Sequence, residues 1–280
     1  MRSDRCSVTA RSLGLDPGGT APPVDELVML ERPLPWPPEV ELGALRPKDP
    51  SVRVQLQLVT PAGRAGPREP IGVRYVRTRP WSGEMEPRVI PGLALPARRM
   101  SHLLICTHGA RDTCCGALGT RLAAGLEALS PGMTLWRTSH LGAHRFAPTA
   151  LILPSGTMWG RLDDRLIHGI VDETLDPIEG AKHYRGCIGI DGPEFQLADR
   201  AGLERHGWEW LRLGRRCTVI EAMPDRMTVL IEGHRNTNAI RSIRATVERT
   251  GTVPIPLCGA PVETPHKFQP VFVVSDVHAT

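Results

Sequence analysis

Apolar and polar residues alternate along residues 52–59 (VRVQLQLV), and this period of two predicts a half-buried strand. Residues 26–31 (ELVMLE) form a short apolar run. The run stops at the proline-rich segment 32–38 (RPLPWPP), which can be neither helix nor central strand. A turn rich in glycine and proline at 61–70 leads to a second predicted strand at 71–78 (IGVRYVRT). The first third of the chain is therefore predicted to be rich in β-structure.

From His102 onward the pattern predicts alternating strands and helices. The predicted elements are a strand at 102–106, a helix at 116–130, a strand at 134–139, a hairpin at 150–162 and a helix at 163–175. Asp163 or Asp164 is the expected N-cap of the last helix. This order is typical of a thioredoxin-like α/β core.

The last third of the chain changes pattern again. A helix is predicted near 194–206, two strands around a Pro–Asp turn at 217–233, and further strands near 240–247 and 271–274. The predicted division is a flexible tail at 1–20, a β-rich unit at 21–97, a thioredoxin-like domain at 98–184 and a small α+β appendage at 185–280. The expected fold class is α/β.

Composition narrows the possible classes of protein. No run of 18 apolar residues occurs, and the N-terminus lacks the apolar segment of a signal peptide, so a cytoplasmic protein without membrane contact is expected. The net charge of +4 comes without a basic stripe, which argues against nucleic-acid binding. Seven cysteines, with no C-x-x-C, favour ligands or buried thiols over a disulfide framework.

Two cysteines and two histidines stand out by their spacing. Cys106 and Cys115 are separated by eight residues, and His140 and His144 by three. Thiolates and imidazoles suit zinc, copper(I) and iron–sulfur centres. Structural zinc sites usually space their cysteines as C-x2–4-C, which differs from this pattern, and a Rieske centre needs C-x-H and C-x2-H, of which only Cys106-Thr-His108 is present.

Several stretches of the chain form distinctive motifs: RCS at 5–7, DPGGTAP, ERPLPWP, CTHGARDTCC, SHLGAHRFAPTALILPSGTMWGRL and HYRG. These stretches resemble the sucrase/ferredoxin-like family, which includes thioredoxin-like [2Fe–2S] ferredoxins with two histidine ligands. The resemblance implies that a [2Fe–2S] cluster is bound by Cys106, Cys115, His140 and His144. The C-x8-C spacing of the family selects Cys115 rather than Cys114. The family often has glycine where this chain has Ala143; if that position needs a positive φ, alanine costs about 1 kcal/mol there.

Neighbouring residues have predicted supporting roles. His108, Arg111 and Asp112 are candidates to hydrogen-bond the cluster or orient a ligand imidazole, although Arg111 and Asp112 could equally form a local salt bridge that shapes the loop. Cys114 is expected to be a packed thiol beside the cluster. The other four cysteines are expected to be structural: Cys6, Cys187, Cys217 and Cys258.

The expected function is one-electron transfer by a carrier protein rather than a stand-alone enzyme. Its implied partners are an NAD(P)H-linked reductase as donor and an acceptor of unknown identity. Each ligand imidazole keeps a second nitrogen that can take up a proton, so a pH-dependent potential is expected. Two alternatives stay open: a structural Cys2His2 zinc module that binds partners, and a thiol redox enzyme that uses Cys114 and Cys115. No paired carboxylates indicate a hydrolase.

Overall fold

The computed structural model describes residues 5–63, 70–78, 83–94, 101–126, 129, 131–258 and 267–280. These residues form a mixed α/β protein with a nine-stranded sheet and a four-stranded antiparallel sheet. The α/β class predicted from the sequence is therefore confirmed. Within the described part of the chain, no helix has the length and apolar character needed to cross a membrane.

The large sheet joins strands from all three predicted units. In chain order they are β1 (Glu26–Glu31), β2 (Val54–Pro61), β3 (Gly72–Arg77), β4 (Met85–Val89), β5 (Ser101–Cys106), β6 (Met133–Thr138), β7 (Ala150–Leu153), β8 (Thr157–Trp159) and β9 (Tyr184–Cys187). Their order across the sheet is β4-β3-β1-β2-β6-β5-β7-β8-β9. Strands β2 and β6 pair antiparallel, with Val59 opposite Thr138, so the β-rich segment continues directly into the α/β segment.

The second sheet consists of β10 (Gly214–Met223), β11 (Arg226–Arg235), β12 (Asn238–Pro254) and β13 (Phe268–Ala279), in that order. Strands β12 and β13 extend well beyond the predicted segments 240–247 and 271–274. Most residues of β12 are exposed. Backbone pairing rather than apolar alternation thus sets the length of these strands. The exposed parts of the strands carry no hydrophobic pattern, so their full length could not be predicted from the sequence.

Five α-helices complete the described fold: α1 (Cys6–Ser12), α2 (Thr120–Gly125), α3 (Asp164–Val171), α4 (Pro177–Ala181) and α5 (Pro193–His206). The main-chain N–H of Leu166 donates to the side chain of Asp163, which caps α3 as predicted. Helix α2 ends at Gly125, before the predicted residue 130, because Leu126 adopts an extended conformation.

Helix α1 lies where the sequence predicted a flexible tail. Its Cys6 and Ala10 are buried, and the helix packs beside the short 3-10 helix His144–Phe146. The sequence analysis predicted a flexible tail at 1–20, and the polar composition of this helix did not indicate that its small residues Cys6, Ser7 and Ala10 are buried. This packing brings the start of the chain to the candidate site.

Helix α5 contacts β9 of the large sheet and β11, β12 and β13 of the second sheet. Asp199 on this helix is fully buried and accepts hydrogen bonds from the Tyr184 hydroxyl at 2.6 Å and the Trp210 indole N–H at 2.8 Å. Its carboxylate also pairs with the buried Arg215 guanidinium of β10 at 3.1 Å. This ion pair joins the two sheets through α5.

Candidate metal centre

The predicted cysteine and histidine pairs follow two neighbouring parallel strands. Strands β5 and β6 run parallel, and Cys106 at the end of β5 is in register with Thr138 at the end of β6. The carboxyl ends of both strands therefore meet at the same edge of the sheet, where ligands commonly bind in α/β folds. Each strand is followed by a loop, and these loops carry the remaining predicted ligands.

A π-helical turn brings the second cysteine back to the first. Residues Cys115–Gly119 form this turn directly before α2, and such turns are frequent at functional sites. A side-chain carbon on Gly119 would lie 1.9 Å from the carbonyl oxygen of Cys106, so only glycine permits this approach. A side-chain carbon on Gly116 would lie 2.5 Å from the Cα atom of Gly109. The close packing places Cys115 against Cys106.

Cys106, Cys115 and His140 form one compact donor group, called here the Cys106 group. Their ligand atoms all lie within 4.8 Å of one another, and both thiols are fully buried. The Cys115 thiol donates to Cys106 and lowers the pKa of Cys106 well below its usual value. The His140 side chain and the backbone N–H groups of His108 and Leu141 lower it further. This environment stabilises a thiolate, the form that binds metals.

His144, the fourth predicted ligand, stands at the edge of this group. Its ring centre is 6.0 Å from that of His140. Its Nδ1 lies 2.6 Å from a carboxylate oxygen of Asp112 and 3.0 Å from the Cys6 sulfur. The structure thus brings three of the four predicted ligands together and turns Nδ1 of the fourth toward another set of donors. Because Nδ1 is engaged with Asp112, Nε2 is the nitrogen of His144 that is left to bind a metal.

The donor chemistry of the Cys106 group fits a metal centre. The Nδ1 atom of His140 is buried and has no hydrogen-bond partner among the residues that the structure describes. A buried polar atom without a partner is costly unless it binds a ligand. Two thiolates beside an imidazole nitrogen form a donor set for zinc or an iron–sulfur cluster. The residues therefore fit either centre.

The four residues predicted to support the cluster make different contacts. His108 is buried, with Nε2 2.9 Å from the Pro37 carbonyl oxygen, and its Nδ1 accepts from the main-chain N–H of His140 at 3.3 Å. Asp112 contacts His144 rather than Arg111. The exposed Arg111 instead reaches Glu39 at 3.4 Å. The Cys114 sulfur contacts the sulfurs of Cys6 and Cys258.

A second donor group lies beside the first, and the sequence did not indicate it. It consists of Cys6, Cys114, Cys258, Asp112 and His144 and is called here the Cys6 group. Cys6 and Cys258 were expected to be structural, since nothing in their spacing connects them. Hydrogen bonds from Cys6 and Ser7 lower the pKa of Cys114 to about 5, against the opposing effect of burial. Cys114 is therefore the thiolate of this group.

Comparison with known protein families gives one match. Residues 24–186 match the family described as sucrase/ferredoxin-like, which is more than half of the chain. The chain belongs to the sucrase/ferredoxin-like family. Neither curated proteins nor solved structures give a match. The family segment contains the whole Cys106 group, whereas Cys6 and Cys258 lie outside it.

Arg185 lies within the family segment, and the sequence analysis did not predict it as a residue of the site. Its side chain is fully buried and donates to the hydroxyl and carbonyl oxygens of Thr20 at 3.1 and 2.8 Å. Burial lowers the pKa of Arg185 to about 9, although the nearby charges of Cys115 and Cys106 oppose this effect. Arg185 thus places a positive charge close to Cys106 and Cys115 of this sucrase/ferredoxin-like chain.

Ala143 adopts the left-handed conformation that the sequence analysis considered, with φ 50° and ψ 47°. Gly142 before it also has a positive φ. Ala143→Gly is therefore expected to raise the free energy of unfolding by roughly 0.5–1 kcal/mol, because glycine adopts this conformation without steric cost. Urea unfolding of the metal-free protein measures the change.

Ala147→Gly is the matched control in the same loop, since Ala147 has φ −59° and is buried. It is expected to lower the stability, because glycine there increases the entropy of the unfolded chain and removes a buried methyl group, with no gain at this negative φ. Equal destabilisation by both substitutions would contradict a backbone strain at Ala143.

Proposed function

We propose that the protein is a one-electron carrier whose [2Fe–2S] cluster is bound by Cys106, Cys115, His140 and His144. The observation that carries this proposal is the meeting of two buried thiols and an unpartnered imidazole nitrogen at the ends of β5 and β6. His144 would complete the set through Nε2. The cluster, when bound, supplies the reversible uptake of one electron.

The surrounding fold supports the proposal. Strands β6, β5, β7 and β8 are adjacent in that order, with β5 and β6 parallel and β7 and β8 antiparallel. We propose that they form a thioredoxin-like core, in which the two ligand loops follow the parallel pair. Burial of both thiols excludes water from this end of the site.

The charges of the donor set favour a high potential. Two thiolates and two neutral imidazoles leave an oxidised cluster less negative than four thiolates do, and the Arg185 guanidinium adds a positive charge nearby. The reduced form is therefore easier to reach than in plant-type ferredoxins. We expect a potential well above their value of about −400 mV.

The histidines are the proposed sites of proton uptake. Asp112 lies 2.6 Å from Nδ1 of His144 and can hold a proton at that atom, and the charged or titratable groups facing this ring are Asp112, Cys6, Cys258 and His140. One proton taken up with one electron changes the potential by about 59 mV per pH unit. Asp112→Asn is expected to alter this slope while the cluster stays bound. A potential that stays constant between about pH 6 and pH 10 would exclude proton coupling.

Electron exchange is proposed to occur at the His140 side of the centre. A cleft of about 350 Å³ opens there, with these residues among its lining: Glu41, Arg46, His108, Arg111, Ser139 and His140. Its arginine and glutamate side chains would suit a protein partner, for which an NAD(P)H-linked reductase in the cytoplasm is proposed as the donor.

Anaerobic purification followed by metal analysis and electron paramagnetic resonance tests the proposal. A red-brown protein with about two iron atoms and two sulfides per chain supports it. A colourless protein with zinc at the Cys106 group would favour the zinc module instead. The thiol enzyme is less consistent with the geometry, because Cys114 and Cys115 face different donor groups.

A further inference from the structure

Three thiols from distant parts of the chain form a triangle in the Cys6 group. The sulfur atoms of Cys6 and Cys114 are 3.4 Å apart, those of Cys114 and Cys258 3.2 Å, and those of Cys258 and Cys6 3.3 Å. Cys6 belongs to α1, Cys114 directly precedes the π-helical turn, and Cys258 follows β12. Cys6 and Cys258 are 252 residues apart in sequence. All three are free thiols.

Oxygen and nitrogen donors border this triangle. A carboxylate oxygen of Asp112 lies 3.8 Å from the Cys258 sulfur and accepts from the main-chain N–H of Cys114 at 2.9 Å. Nδ1 of His144 lies 3.0 Å from the Cys6 sulfur. The ligand atoms of Cys6, Cys258, Asp112 and His144 are all within 4.8 Å of one another. The Cys6 group is therefore separate from the Cys106 group but adjoins it through His144.

We propose that the Cys6 group is a second metal site, in which the thiolates of Cys6, Cys114 and Cys258 and the carboxylate of Asp112 bind one Zn²⁺ ion. Sulfur atoms in a tetrahedral zinc site with Zn–S bonds of about 2.3 Å lie about 3.8 Å apart. The three thiols need to separate by only about 0.5 Å to reach this geometry. Thiolate sulfur and carboxylate oxygen are both zinc ligands, and four such ligands complete the tetrahedral coordination of a structural site.

Charge and position both support a structural ion. Metal binding would deprotonate Cys6 and Cys258, and the positive ion would compensate the charges of the three thiolates and the Asp112 carboxylate. The ion would connect α1, the loop after β5 and the segment after β12, and so would hold Cys6 and Cys258 next to the family segment, outside which both lie. The segment that follows β12 would thereby contribute a ligand, Cys258, to a site beside the proposed electron-transfer centre.

This inference goes beyond the proposed function, because it uses none of the four proposed cluster ligands; the two sites share only Asp112, which reaches His144 and Cys258 with different carboxylate oxygens. His144 lies between the two sites and is left to the first of them. A protein could bind zinc at the Cys6 group and lack a cluster, or carry the cluster and leave the Cys6 group without metal. The two proposals can therefore fail independently.

Zinc content and zinc affinity of the full-length protein test the second site, with ZnCl2 as the probe and a chromophoric chelator as competitor. We expect one tightly bound zinc per chain in the unmodified protein and in Cys106→Ala. Cys258→Ala is expected to bind zinc about tenfold more weakly or worse, with its iron and sulfide content unchanged. The control Cys217→Ala, a half-buried thiol on β10 outside both groups, is expected to keep its zinc.

Three results would overturn the second site. The first is an unmodified protein that binds no zinc, and the second is zinc that is lost in Cys106→Ala but kept in Cys258→Ala. The third is a thiol count of five instead of seven after air-exposed protein is denatured, since two of the proposed ligands would then have formed a disulfide. If Cys258→Ala fails to fold, X-ray absorption of the unmodified protein decides. Three sulfurs at about 2.3 Å from zinc and one oxygen support the site, and a mainly nitrogen and oxygen shell contradicts it.

Discussion

Cys106→Ala is expected to remove the iron and sulfide of the protein almost completely. The surroundings of Cys106 favour the thiolate, since Cys115, His140 and two backbone N–H groups all stabilise its negative charge. Three ligands without this thiolate leave a cluster edge open to water and to loss of iron. Iron content should fall from about two atoms per chain to less than about a tenth of that, together with the visible absorbance.

Cys187→Ala is the matched control for this loss. Cys187 is equally buried, but its sulfur lies near the carbonyl oxygens of Ser155 and Gly83 and outside both donor groups. It should keep its iron, with at most a small decrease in stability. Circular dichroism of the metal-free variants should show the same secondary structure for both. Full iron content in Cys106→Ala would contradict the ligand assignment.

Asp199→Asn is expected to destabilise the protein by about 3–5 kcal/mol, because it leaves the Arg215 charge buried without a counter-charge. Both side chains are fully buried, and the ion pair joins α5 to the first strand of the second sheet. Loss of the pair should therefore weaken the attachment of the second sheet. Urea unfolding of the metal-free protein measures the change.

Two further variants keep this prediction testable if Asp199→Asn does not fold. Tyr184→Phe removes only the hydroxyl that donates to Asp199, and it should lower the stability by about 1 kcal/mol. Arg165→Ala removes an ion pair with Glu179 on the surface and should leave the unfolding midpoint unchanged. If Asp199→Asn is as stable as Arg165→Ala, the buried pair contributes no net stability.

Much of the local structure could be predicted from the sequence because it depends on local patterns. The alternation at residues 52–59 predicted β2, and the hairpin of β7 and β8 followed from two apolar runs around Ser155–Gly156. The C-x8-C and H-x3-H spacings indicated two ligand loops after two strands. The parallel pairing of β5 with β6 then brings Cys106, Cys115 and His140 together.

Other features depend on packing between distant segments. Helix α1 was predicted as a flexible tail, because only its contacts with the rest of the protein show which of its residues are buried. Strands β12 and β13 extend beyond their apolar cores because they pair through backbone hydrogen bonds. The role of Arg185 could not be read from its residue type, since a buried arginine looks like any other in the sequence.

The sequence by itself determined the family and the α/β class. It also predicted Cys106, Cys115, His140 and His144 as ligands, from their spacing and from the family resemblance. Only the tertiary structure decided that Cys6 and Cys258 meet Cys114, and that Asp112 lies against Nδ1 of His144. The physical reason is that these contacts join residues far apart in the sequence, and Cys6 and Cys258 are separated by 252 positions. Such contacts depend on how α1 and the second sheet pack on the large sheet, and no local period or spacing encodes that packing.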